Sequence, residues 1–125
     1  MKTFIYIEIF LFLLLAIGLA FAQEQKIQLV FNETMDRSTL FNINNYNLYD
    51  NQLNEVGVNR IGVAQGDSIV ILYTPFLSYK TNFIVRVANV KDKAGNLINP
   101  EHNFAWFYVD GFDSTQVAPK LFFVK

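Results

Sequence analysis

Apolar and polar residues alternate in short bursts along most of the chain, and polar turn clusters interrupt the bursts roughly every ten residues. Ile27, Leu29 and Phe31 alternate with Gln28 and Val30, which predicts a strand with one strongly apolar face, ended by the polar stretch 32–38. Tyr46-Asn47-Leu48-Tyr49 predicts a short second strand, and Asp50-Asn51-Gln52 its turn. Val56, Val58 and Ile61 predict a third over residues 55–63, with Gln65-Gly66-Asp67 turning the chain after it. Residues 68–73 are apolar on both faces and predict a fourth, which Pro75 prevents from continuing as a paired strand. Phe83, Val85 and Val87 alternate with Ile84, Arg86 and Ala88, giving a fifth strand with a clear inner face. Residues 104–109 are six consecutive apolar positions, a sixth strand covered on both sides or placed at an interface. The period is two throughout and no helical stripe competes with it, so the fold class expected is all-β, an antiparallel sandwich.

The first 22 residues follow a different pattern. Lys2 supplies a minimal positive region, residues 9–22 are apolar or Gly without interruption, and Ala20-Phe21-Ala22 before Gln23-Glu24 has the small-x-small form of an export cleavage site. These features predict an N-terminal signal helix over 1–22 that is removed on secretion. The competing reading is an uncleaved anchor, since ~20 apolar residues span a bilayer. Glu8 shortens the clean apolar run and favours cleavage. Membrane contact is therefore expected only if this segment stays uncleaved. Removing Lys2 and Glu8 with the leader leaves nine basic and ten acidic residues, so the rest of the chain is nearly neutral.

Composition narrows the function. In 125 residues there are 13 Phe, one His and no Cys, 17% of positions are charged, and the net charge is −1. One domain of packed strands accommodates this; a basic nucleic-acid surface, a disulfide framework and a zinc site do not. The domain is placed at 23–109, with 110–125 as a linker and a C-terminal strand. An exported chain without cysteine has to rely on packing alone. His102 follows Pro100-Glu101 with no second His, and Ser38, Ser68, Ser78 and Ser114 lack a G-x-S-x-G setting or an evident base, so no catalytic residue is nominated.

Asp92-Lys93-Ala94-Gly95-Asn96 has the chemistry of a structural turn: Gly95 and Asn96 tolerate positive φ, and the Asp92 carboxylate can accept backbone N–H groups within it. The other use for Asp92 is as a calcium ligand with Asp36, Asp67 or Glu33, but those acids are scattered and no D-x-D-x-D spacing exists. No cofactor is expected. Phe104, Trp106 and Tyr108 share one face of the last strand of the sandwich, and Ala105, Phe107 and Val109 share the other. One face is expected to fill the core and the other to lie under a loop or a neighbouring domain; the alternative is an exposed platform on which sugar rings or a partner protein stack.

The run Val30-Phe31-Asn32-Glu33-Thr34-Met35-Asp36, followed some sixty residues later by the Asp-Lys-Ala-Gly-Asn turn, resembles the SbsA-type bacterial Ig-like domain of S-layer and other surface proteins. Phe31, Glu33, Met35 and Asp36 match the first family motif, Pro75 and Leu77 sit near a P-L position, and Val85, Val87, Val90, Asp92, Ala94, Gly95 and Asn96 match the last. Asn32 and Thr34 replace the usual Ser and Pro, and Phe83 stands where a Tyr is common, which removes the hydroxyl of a tyrosine corner. The resemblance implies an Ig-like sandwich and a non-enzymatic structural or adhesion module, secreted or at the cell surface, whose partners are other surface proteins or copies of itself. A carbohydrate-binding module built around Trp106 is the rival.

The family's first strand has no counterpart between the cleavage point and Lys26, whereas Leu121, Phe122, Phe123 and Val124 form a spare strand at the other end, with Leu121 and Phe123 on one face. Three outcomes stand open: the tail folds back into its own domain across a taut linker, it completes a second molecule by strand addition, or the reading frame stops short of further domains.

Overall fold

A computed structural model describes residues 24–64, 66–111, 117–122 and 124, with backbone alone for 117–121. Eight strands form two four-stranded sheets: β1 (Gln25–Phe31), β2 (Tyr46–Tyr49), β3 (Glu55–Val56), β4 (Arg60–Val63), β5 (Ile69–Thr74), β6 (Thr81–Val87), β7 (Phe104–Val109) and β8 (Val117–Phe122). The order is β4-β5-β1-β8 in the first sheet and β3-β2-β6-β7 in the second. Two single-turn 3-10 helices, Arg37–Thr39 and Ile43–Asn45, carry the chain from β1 to β2, each opened by an Asp36 or Asn42 side chain that accepts a backbone N–H.

Alternation produces the layers. Ile27, Leu29 and Phe31 of β1 point inward beside Leu72 and Val70 of β5, and Leu48 of β2 lies opposite Val85 of β6. Phe83 of β6 stacks on its cross-strand partner Phe107 of β7, ring centroids 5.6 Å apart. All of these side chains are at most 3% exposed, and with Met35, Leu40, Val87, Val90 and Phe122 they form one continuous core. Each such side chain contributes on the order of 1.5–3 kcal/mol by leaving water, which is how the described residues hold two layers together without a disulfide.

Two expectations change in detail. Residues 55–63 do not form one strand: β3 pairs with β2 in the second sheet and β4 with β5 in the first, so the chain changes sheets at Gly57-Val58-Asn59. The Asn59 N–H already donates to the Tyr73 carbonyl, 2.7 Å away, and Gly57 has open space around it. The sheets are antiparallel with one exception, the β1–β8 pair, which is parallel, with Val30 beside Leu121 and Phe31 beside Phe122. Val124 also bridges Ile98, in the segment that leads into β7. The tail thus pairs with the first strand of its own domain; residues 112–116 of the linker, expected to be taut, lie outside the described residues. The signal-helix expectation for residues 1–22 lies outside the described residues.

Candidate functional site

Two constellations singled out in the sequence have distinct fates. The turn residues are absorbed by the framework. Asp92 is 7% exposed, and its carboxylate accepts the Asn96 backbone N–H at 2.8 Å and the Asn96 side-chain amide at 3.0 Å. These bonds, the amide first, hold the carboxyl below the ordinary aspartate range. Gly95 has φ 89°, the conformation that favours glycine, whereas Asn96 does not use the positive φ that its residue type permits. The turn also meets the first motif. Met35 and Asp92 form an isolated antiparallel bridge, the Asp36 N–H donates to the Lys91 carbonyl at 2.8 Å, and the Lys91 N–H donates to Thr39 Oγ1 at 3.1 Å. Segments sixty residues apart in sequence are thus one hydrogen-bonded unit at one end of the sandwich.

Of the acids proposed as calcium partners of Asp92, two are engaged elsewhere. Asp36 Oδ1 accepts the Ser38 N–H at 3.0 Å and its hydroxyl at 2.7 Å, and Asp67 pairs with Arg37 at 2.8 Å. Among the described residues no group of three His, Cys, Asp or Glu is placed to hold a metal ion. His102 is exposed in the turn before β7, where its N–H donates to the Asn99 carbonyl.

The aromatic row has the opposite fate. Phe104, Trp106 and Tyr108 are 46%, 53% and 50% exposed, while Phe107 and Val109 are each 2% exposed. One face of β7 fills the core as expected. The other, expected to lie beneath a loop or a neighbouring domain, is covered by no loop among the described residues. Across the outer face of this sheet, Phe104 lies beside Arg86 and Arg86 beside Asn47; Trp106 lies beside Ile84 and Ile84 beside Tyr49; Tyr108 lies beside Asn82. Tyr49, Leu53, Ile84 and Arg86 line a hollow of about 260 Å³ on this face. Leu53, Ile84 and Arg86 were not singled out in the sequence, because only the register of β2, β6 and β7 makes them neighbours of the aromatic row.

Of the tail residues, Phe122 is fully buried and its ring centroid is 5.7 Å from that of Phe31. Val124 is 8% exposed, and its N–H donates to Asn32 Oδ1 at 2.8 Å. The inward pair is therefore Phe122 and Val124. The Leu121 and Phe123 side chains, expected to share a face, lie outside the described residues. Tyr46, which the sequence reading placed in a strand and gave no role of its own, donates its hydroxyl to the Leu40 carbonyl at 2.6 Å. This buried side-chain-to-backbone bond is of the kind that Phe83 cannot make.

Two sheets of this order with these interlocked motifs define an Ig-like sandwich. The family profile described as a bacterial Ig-like domain matches residues 18–108, and the chain belongs to that family. Among solved structures, the N-terminal part of the bacterial S-layer protein SbsC is similar, with 12% identity over 82% of this chain and a TM-score of 0.50. At that identity the likeness speaks for the fold, and this chain spans only 21% of the length of that one. No curated protein matches. These findings bear out the resemblance read from the two motifs.

Proposed function

We propose that the protein is an exported, non-enzymatic Ig-like module that serves structure and adhesion in a cell-surface or extracellular protein. The observation that carries this reading is how the two motifs are used: Met35 bridges Asp92, the Asp36 N–H donates to the Lys91 carbonyl and Thr39 Oγ1 accepts the Lys91 N–H, so they tie distant chain segments to one another. Family membership supports it, since bacterial Ig-like domains are generally structural modules without catalysis. The leader-like pattern of residues 1–22 supports export. Its partners are other surface proteins or further copies of the chain.

Fractionation of producing cells followed by intact-mass measurement tests the proposal. The expected product begins at Gln23 and is recovered from the envelope or the medium. A chain that retains Met1 and is confined to the cytoplasm contradicts it.

A further inference from the structure

On the outer face of the β3-β2-β6-β7 sheet, β6 runs between two rows of exposed or half-exposed apolar side chains, and the strip between them is termed the groove. One side is the aromatic row of β7. Residues two apart on a strand are separated by ~6.8 Å, so Phe104, Trp106 and Tyr108 present three half-exposed rings along ~13 Å of flat edge. The other side is Tyr49 with Leu53, which line the hollow beside Ile84 and Arg86. Leu53 is 69% exposed and has φ 63°, a conformation that disfavours a bulky side chain. The turn imposes it: the Asp50 carboxylate accepts the Gln52 and Asn54 N–H groups, each at 2.9 Å, and holds the leucine out in solvent. A strained, exposed leucine beside Tyr49 and Ile84, on the same sheet face as three exposed rings, is an arrangement that the core does not require.

Charge selects the occupant. Arg86 is exposed in the groove between Phe104 and Asn47, and it makes no ion pair among the described residues, whereas Arg37 and Arg60 are both paired. Glu55, an acid on the far edge strand of the sheet, accepts a bond from the Asn47 amide at 3.4 Å. The face therefore offers flat apolar rings, side-chain amides at Asn82 and Asn47, and one guanidinium that is suited to bidentate recognition of a carboxylate.

We infer that this groove binds an acidic oligosaccharide, with sugar-ring faces packed on Phe104 and Trp106 and a carboxylate held by Arg86. The inference deepens the adhesion reading and rests on the module being exported. Three half-exposed rings at strand spacing offer faces to successive pyranose rings, and the amides are suited to ring hydroxyls.

Trp106 is the sole tryptophan in the chain, so its emission reports directly on the groove. The purified protein is titrated with an oligogalacturonate, a neutral cello-oligosaccharide and an oligoglutamate peptide. The expected result is a saturable blue shift with the oligogalacturonate, weakened by added salt, with affinity reduced about tenfold or more in Arg86→Gln. The neutral sugar and the peptide are expected to leave the emission unchanged. Calorimetry with Trp106→Ala, checked by its melting curve to be folded, is expected to show loss of binding. Equal binding of the neutral sugar, equal binding of the peptide, an Arg86→Gln variant that binds as well as the parent, or no response to the oligogalacturonate would each overturn the inference. Cell fractionation separates this from the export reading: an exported protein that ignores the saccharide sinks the groove alone.

Discussion

Tyr46 shows how much one side chain can hold. Its ring is 3% exposed, its hydroxyl donates to a buried carbonyl, and burial pushes the phenol well above its ordinary pKa. Tyr46→Phe keeps the ring and orphans the Leu40 carbonyl, at an expected cost of about 1–3 kcal/mol in a denaturant melt. A cost near zero would mean that the carbonyl finds water. Nothing in the pattern Tyr-Asn-Leu-Tyr marks this residue, because a tyrosine in a strand reads simply as core or edge until the preceding 3-10 turns bring Leu40 back over it. Asp92 is the opposite case, since its Asp-x-x-Gly-Asn setting names the bonds that the turn makes. Its carboxyl is held below the ordinary value by bonds to the charged form, and Asp50 is shifted in the same direction. A native value lower than the unfolded one gives stability that is complete above the ordinary aspartate range and is lost as pH falls through the native value. The melting temperature is therefore expected to fall in acid below about pH 4. In Asp92→Asn, melting series should show a shallower acid slope; an unchanged slope would remove Asp92 from the account.

At the scale of elements, the strands with a strict period of two were legible. β1, β2 and β6 lie where alternation put them, and β5 and β7 stand out as apolar runs bounded by turns. The change of sheet at Gly57-Val58-Asn59 was not legible, because Val56, Val58 and Ile61 continue to alternate while the backbone passes from one layer to the other. Pattern reports burial, and both sheets face the same core. The parallel course of β8 was hidden for a related reason: a short apolar strand has no polarity in its sequence. Its contribution is testable. Phe122 is buried against Phe31, and Phe122→Ala is expected to cost about 3–5 kcal/mol, with the same melting temperature loss at every protein concentration, as befits a strand closing its own domain. A loss that depends on concentration would instead place the strand in a second molecule.

For the molecule as a whole, the division of labour between two faces of one strand decides both the architecture and the surface chemistry. The register of β7 on β6 turns the odd residues Ala105, Phe107 and Val109 to the core, beside Val85, Phe83 and Thr81, while the even ones meet solvent. A slip of one residue would exchange the two sets, burying Trp106 and exposing Phe107. The sandwich, the open aromatic face and the reading of the chain as a module that presents a surface all depend on this register. The composition of residues 104–109, apolar at every position, could not set it, because both faces look equally suited to the interior.

The most direct test is a paired thermal melt of Trp106→Ala and Phe107→Ala. The two substitutions are adjacent in sequence and opposite in environment, at 53% and 2% exposure. Phe107→Ala is expected to lose about 3–5 kcal/mol, and Trp106→Ala clearly less, about 1–2 kcal/mol. Equal losses, or a larger loss at Trp106, would contradict the account.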